Sequence, residues 1–237
     1  MKLNETVALV TGASRGLGLE VAKAYAQGGA KLVIAARNQS DLDAAASELG
    51  RQTQVVALAL DVSQDAERLV EAGLERFGRI DVLVNNASEL GPSPMPPLDQ
   101  YPWQDLERVL RVNVLAPVHL AQLVLPAMRS RGEGVIINVS SDAGVESYAG
   151  WGGYGASKAA LEHLSRTLAA ELEGTGIRVY VVDPGDMNTA MHQLAEPGVD
   201  LSGLPGPELS APAFVHLVEV ATAPFDRLKA QELAAAR

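Results

Sequence analysis

The sequence predicts an α/β fold: a doubly wound parallel sheet of about seven strands with helices on both faces. Three observations carry this expectation. Short β-rich apolar runs alternate with segments of helical period through the first 185 residues. Each run is apolar at successive positions rather than alternate ones, as a strand buried on both faces must be. A glycine-rich turn joins the first run to the first helical segment. In such a sheet ligands sit at the carboxyl ends of the strands, beside the reversal of strand order.

The elements follow in order. Strand Val7–Val10 leads through Thr11-Gly12-Ala13-Ser14-Arg15-Gly16-Leu17-Gly18 into helix Gly16–Gln27. Leu32–Ala36, Val55–Ala59, Val82–Val84 and Val135–Val139 are the next strands, followed in turn by helices Asp41–Leu49, Asp65–Phe77, Trp103–Met128 and Tyr154–Glu173. Val179–Val182 is a sixth strand, and in the tail Arg227–Gln231 is the segment able to form a seventh. Two Pro/Gly-rich loops, Gly91–Pro97 and Glu196–Pro212, break the regularity. No internal repeat is evident, and residues 1–237 read as one domain.

Composition narrows the function classes. A formal charge of −10 argues against binding a phosphate backbone. The lack of cysteine excludes disulfides, thiolate catalysis and Cys-ligated metal, and no histidine has the spacing of a metal site. The longest apolar stretch, Val112 to Met128, is interrupted by Asn113, Pro117, His119 and Gln122, so no membrane span is expected. The first strand begins near Thr6 with no basic and apolar leader before it, and a cytoplasmic protein is expected.

Two clusters carry chemistry. In the first turn, Gly12 permits a tight bend, Gly16 lets backbone approach a diphosphate, and Gly18 allows the helix to pack on the strand. The helix N-terminus then faces the phosphates. In the second, Tyr154 and Lys158 lie four apart, on one face of a helix. There an ammonium favours the phenolate and brings a group of ordinary pKa about 10 into range for acid–base work. Ser141 stands thirteen residues before Tyr154, at the end of a central strand. Its neighbour Ser140 points to the opposite face.

Together these motifs resemble the short-chain dehydrogenase/reductase family, from about Thr6 to about Pro184. The G-x-x-x-G-x-G spacing matches this family rather than the G-x-G-x-x-G dehydrogenase fingerprint. The resemblance implies a Rossmann-type fold and reduction of a ketone or aldehyde by hydride transfer, or the reverse oxidation. Tyr154 is the implied acid, Lys158 its partner and a grip on the nicotinamide ribose, and Ser141 a donor to the substrate oxygen. Asn113 completes the constellation. Pro117, four residues on, has no N–H for the Asn113 carbonyl, which is left free to hold a water in a proton relay.

The resemblance also populates the cofactor site. Ser14, Arg15 and Leu17 join the three glycines. Asp61-Val62 matches the adenine-edge contact, and Asn85-Asn86-Ala87 the turn beside the adenosine ribose, with Ser88 where the family has Gly. Pro184-Gly185-Asp186-Met187-Asn188-Thr189 matches the segment that holds the carboxamide through backbone near Met187 and the Thr189 hydroxyl. An NAD site needs a carboxylate at the end of the second strand. Here that strand ends Ala36-Arg37-Asn38, and Arg37 with Arg15 favours NADP(H) over NAD(H).

Relatives also place a substrate lid near residues 188–212 and pair their two long helices between subunits, so a homodimer or homotetramer is expected. Leu90, Met95, Tyr148, Trp151 and Met187 flank the motifs as pocket walls, with His192 at the rim. A 3-oxoacyl thioester is one substrate class the motifs allow. The rival readings are a catalytically silent cofactor-sensing or scaffold protein on the same fold, and a nucleic-acid-binding regulator, which the acidic charge disfavours.

Overall fold

A computed structural model describes residues 1–235, so the last two residues of the expected 1–237 unit lie outside the described part. The described strands are β1 (Val7–Thr11), β2 (Lys31–Ala36), β3 (Val55–Ala59), β4 (Val82–Asn85), β5 (Gly134–Val139), β6 (Ile177–Asp183) and β7 (Phe225–Lys229). They form one parallel sheet in the order β3-β2-β1-β4-β5-β6-β7. Strand order reverses between β1 and β4, whose register runs from Ala8 opposite Val82 to Val10 opposite Val84. The Rossmann-type arrangement expected from the alternation is therefore present, and its switch point lies beside the glycine turn.

Helices α1 (Gly16–Gln27), α2 (Gln39–Leu49), α3 (Ala66–Phe77), α4 (Trp103–Leu110), α5 (Ala116–Arg131), α6 (Gly152–Glu171), α7 (Ala190–Ala195), α8 (Ala211–Glu219) and α9 (Ala230–Ala235) complete the chain. Two apolar cores lie on opposite faces of the sheet. One packs α1 and α8 on Ala8, Val10, Ile34 and Val84; the other packs α3 and α5 on Leu9, Val33, Leu83 and Ile136. Adjacent residues of one strand thus serve different cores, which is why the runs carry no polar alternation.

Five expectations need correction. The Trp103–Met128 helix is two helices joined by a π-helical turn, Arg111–Leu115, centred on Asn113. Pro117 falls in the first turn of α5, where a missing N–H is tolerated, and the chain widens just before it. The Trp103–Arg131 segment is also long and apolar enough to cross a membrane, despite its polar interruptions. Its apolar face, Leu120, Ala121, Val124, Leu125 and Met128, is instead buried in the second core. The last strand sits two residues earlier than Arg227–Gln231. Edge strand β3 is only half-buried, because among the described residues no further strand pairs with its outer edge. Helices α7 and α8, and a 3₁₀ turn at Pro207–Leu209, occupy much of what reads in sequence as irregular loop.

Candidate functional site

The carboxyl ends of the central strands open into a cleft of about 670 Å³. Its wall includes Gly12, Ser14, Arg15, Gly16 and Leu17 from the glycine turn; Arg37 after β2; Asp61 and Val62 after β3; Asn86 and Ala87 after β4; Tyr154 and Lys158 on α6; and Pro184, Met187 and Thr189 after β6. The predicted site residues therefore converge from six segments of chain. Asn85, Asn113 and Gly18 are buried beneath this surface, and Ser141 and Gly185 stand beside it, partly exposed.

The glycine turn is held by steric necessity and by a small hydrogen-bond knot. Gly12 has φ +67°, and a Cβ there would lie 2.9 Å from the Asn86 Nδ2. A Cβ on Gly18 would lie 2.4 Å from the Gly12 carbonyl oxygen. Asn86 Nδ2 donates to the carbonyls of Thr11 (2.9 Å) and Gly12 (3.1 Å), and the Thr11 hydroxyl accepts from the backbone N–H of both Asn86 and Ala87, at 3.0 Å each. Thr11 had no role assigned from sequence; its position one residue before Gly12 was the available signal. Gly16 starts α1 across the cleft from the Thr189 methyl, 4.0 Å from where its Cβ would be. The positive end of α1 thus faces the open cleft, where it favours a negatively charged group.

The two arginines differ. Arg15 is exposed at the N-cap of α1 and forms no ion pair among the described residues. Arg37, expected to be open to a phosphate, instead places Nη1 3.2 Å from a carboxylate oxygen of Glu89, and Arg108 approaches the same oxygen at 3.8 Å. Glu89 was not singled out in the sequence. It follows Ser88, at the start of the loop after β4, and the topology brings it to the end of β2.

Asp61 and Asn85 also answer to the protein itself. Asp61 Oδ1 accepts from Ser63 N–H (2.9 Å) and the Ser63 hydroxyl (2.7 Å), fixing the turn that presents Val62. Asn85 is buried, and its amide donates to Asn138 Oδ1 at 2.8 Å, tying β4 to β5 below the cleft floor. Gly185 N–H donates to Asp183 Oδ1 at 3.0 Å, which shapes the turn after β6. Thr189 Oγ1 accepts from His192 N–H as the N-cap of α7, leaving its own proton to donate. His192 is engaged within this segment, with Nδ1 3.2 Å from the Met187 carbonyl and Nε2 3.5 Å from Glu196.

On α6, Tyr154 and Lys158 are both buried, and the Lys158 Nζ lies 5.3 Å from the Tyr154 ring centre. Lys158 donates to the Val139 carbonyl at 2.8 Å. Burial lowers its pKa to about 8, against the pull of the Glu162 carboxylate. For Tyr154 the expected depression does not appear. Burial drives the phenol above its ordinary range; the Ser88 and Ser141 hydroxyls oppose this, and the Asp142 and Asp183 carboxylates reinforce it. Desolvation of the phenolate outweighs its neighbours, so the phenol is held protonated at neutral pH.

Ser141 and Ser140 diverge as expected. Ser140 donates to the buried Glu162 carboxylate at 2.7 Å, whereas the Ser141 hydroxyl donates to Asp142 Oδ1 at 2.9 Å and accepts from Ala143 N–H. Asn113 is buried and fully used. Its Oδ1 accepts from Glu89 N–H (2.7 Å) and the Ser88 hydroxyl (3.1 Å), and its Nδ2 donates to the Glu89 carbonyl (2.8 Å) and to Ser157 Oγ (2.9 Å). It clasps the loop after β4 to the helix that bears Tyr154. Beyond Tyr154, Leu90 and Ala143 are buried with it, and Met95, Trp151, Met191 and Ala195 pack around them. Trp151 meets the Tyr154 ring edge-on at 5.8 Å. Tyr148 stands outside this pocket, exposed and bonded to Asp142.

Residues 6–199 match the family model for short chain dehydrogenases. The chain is 32% identical over 209 residues to a 7alpha-hydroxysteroid dehydrogenase of Escherichia coli K12, covering 84% of this chain and 78% of that one. A short chain dehydrogenase from Shigella flexneri, complexed with NADP, superposes with a TM-score of 0.86 at 32% identity, over 97% of this chain and 98% of the other. An NAD+-bound xylitol dehydrogenase does so with a TM-score of 0.86 at 25% identity, again over 97% and 98%. The glycine turn, the Tyr154–Lys158 helix face and the sheet that joins them thus belong to a member of the short chain dehydrogenase family, a nicotinamide-dinucleotide-binding oxidoreductase.

Proposed function

We propose that this protein reduces the carbonyl of an uncharged, largely apolar small molecule with NADPH, or runs the reverse oxidation with NADP+. The observation that carries this reading is the single cleft that has the α1 N-terminus at one end and the buried Tyr154–Lys158 pair at the other. Bound there, the nicotinamide supplies or receives a hydride at the substrate carbon. Everything else falls to the chain. Tyr154, held protonated by burial, donates its proton to the oxygen as negative charge develops. Ser141 turns its hydroxyl from Asp142 to that oxygen, and Lys158 carries positive charge beneath both. Asn113 keeps the Ser88–Glu89 loop against α6, and its carbonyl and Pro117 are assigned to the water-mediated exit of the proton.

NADP(H) is the assigned cofactor because β2 ends without an acid and Arg15 stands open at the mouth of the glycine turn. The complex of the Shigella relative with NADP supports this, and the NAD+ complex of the xylitol dehydrogenase makes the preference worth measuring. Leu90, Met95, Ala143, Trp151 and Met191 around Tyr154 suit an apolar substrate body. The bulk of this wall is apolar side chains, which favours a neutral compound over a 3-oxoacyl thioester carrying phosphates.

Residues 188–212, with α7 seated above the cleft, serve as the lid. The exposed Trp103 on α4, Leu115 in the π-helical turn and Leu164 on α6 support pairing of copies across this face, which sedimentation would read directly. The decisive test is Tyr154→Phe: an enzyme loses nearly all carbonyl reduction while binding NADPH as before. A cofactor-sensing scaffold shows no reduction in either form.

A further inference from the structure

Glu162 lies one turn beyond Lys158 and two beyond Tyr154, on the same buried face of α6. It is 1% exposed, yet it accepts four hydrogen bonds from three donors. The Arg227 Nε reaches both carboxylate oxygens, at 3.0 and 2.9 Å; Ser140 Oγ donates at 2.7 Å; Arg166 Nη2 donates at 3.2 Å. Arg227 does more than neutralise it. Its Nη2 also donates to the Ser141 carbonyl at 3.3 Å. Arg227 stands on β7 opposite Val181 of β6, so a residue of the last strand reaches past its neighbour to the end of β5.

The place it reaches is where the sheet stops holding the chain. Ser140 N–H donates to the Val182 carbonyl at 2.7 Å, and the backbone then leaves β5 for the 3₁₀ turn Asp142–Gly144. Past that point, among the described residues, the Ser141 carbonyl accepts only Gly144 N–H, at 3.1 Å, and the Arg227 guanidinium. The turn packs closely on α6: a Cβ on Gly144 would lie 3.1 Å from both Glu162 Oε1 and Lys158 Cβ. One planar fork therefore joins the serine-bearing turn, the lysine-bearing helix and the final strand.

From this geometry we infer that Arg227 is a positioning residue of the active site, fixing Ser141 and Lys158 relative to each other through Glu162 and the Ser141 carbonyl. The inference rests on the proposed carbonyl reduction for its kinetic consequence, though not for its structural one. A guanidinium serves where an ammonium does not, because only the fork spans a carboxylate and a carbonyl together. Glu162 also sustains the charge of Lys158, a second route by which the pair bears on the site. The inward side chain of an edge strand has an alternative purpose, protecting the sheet edge, and that purpose predicts no effect on Ser141.

The test compares wild type, Arg227→Met and Arg227→Lys by hydrogen exchange over residues 139–145, NADPH titration and carbonyl reduction. Arg227→Met is expected to speed exchange in that segment and to lower kcat by about tenfold to a hundredfold, as misplacement near 1 Å does. NADPH affinity should stay within about twofold, because the glycine turn is remote from the fork. Arg227→Lys, which keeps a charge beside Glu162, should fall between; it also decides the matter if the methionine variant does not fold. Unchanged exchange over 139–145 in the folded variant overturns the inference, as does full kcat. If wild type reduces no carbonyl at all, the proposed function fails, and the exchange measurement still decides the role of Arg227.

Discussion

Replacing Glu89 by Gln probes the cofactor mouth at its most constrained pair. In the free protein the Glu89 carboxylate holds the Arg37 guanidinium at 3.2 Å, while Arg37 remains 66% exposed. An ion pair so open to water and salt is worth about 0.2–1 kcal/mol. A ligand phosphate competing for Arg37 must first overcome that attraction. Glutamine keeps the shape of the side chain and leaves undisturbed the backbone N–H and carbonyl of residue 89, which bind Asn113. Glu89→Gln should therefore tighten NADPH by the factor those energies convert to, about 1.4-fold to fivefold. NADH, which has no 2′-phosphate, should change little. Nicotinamide fluorescence titrations with both cofactors at two salt concentrations measure this, and the gain should shrink at high salt. Weaker NADPH binding would show that Glu89 positions Arg37 rather than competes for it. An equal gain for NADH would remove Arg37 from the phosphate site altogether.

Four further outcomes follow from the same geometry. Gly18→Ala sets a methyl 2.4 Å from the Gly12 carbonyl oxygen and 2.5 Å from Asn86 Nδ2, so it should cost about 1–3 kcal/mol in denaturant unfolding and weaken NADPH binding as well. In the reductive direction kcat/KM should fall as pH rises through about 8, because Lys158 loses its proton there while Tyr154 keeps its own. The same shift has a stability signature: with a folded pKa of about 8 against 10.5 unfolded, the unfolded chain binds more protons between those values, so wild type gains stability relative to Lys158→Met across that window. That gain totals about 3 kcal/mol, and below pH 8 the full burial penalty stands; a flat difference between the two proteins from pH 7 to 10 would contradict the burial of the charge. Pro117→Ala restores a donor for the Asn113 carbonyl and should lower turnover with NADPH affinity intact, as steady-state kinetics and titration together would tell.

Much of this was legible in the chain because buried parallel strands write themselves plainly. Val10, Ile34 and Val84 face one core while Leu9, Val33 and Leu83 face the other, so the runs are solid and their alternation with helices is unmistakable. Gly12 and Gly18 were equally readable, since no other residue fits where a Cβ would strike Asn86 or a carbonyl. The helix around Asn113 was less so. Hydrophobic period extends through a π-helical turn almost unchanged, and only Pro117 hints at the wider step. Pairings across the cleft were not legible at all. Arg37 meets Glu89 fifty-two positions away, and Arg227 meets Glu162 sixty-five away; such partners depend on which strand ends are neighbours. Tyr154 shows the same limit in its electrostatics. Four-residue spacing put a lysine nearby, but how far burial outweighs that charge depends on walls such as Trp151 and Leu90, drawn from other parts of the chain.

The central claim is that one cleft binds a dinucleotide at the glycine turn and passes a proton through Tyr154. Wild type and Tyr154→Phe titrated with NADPH, then mixed with a neutral ketone panel in a stopped-flow fluorimeter, test it most directly. The account predicts equal NADPH affinity for the two proteins and loss of nicotinamide fluorescence on ketone addition in wild type alone. Comparable turnover by the phenylalanine variant, or no NADPH binding by either protein, would contradict it.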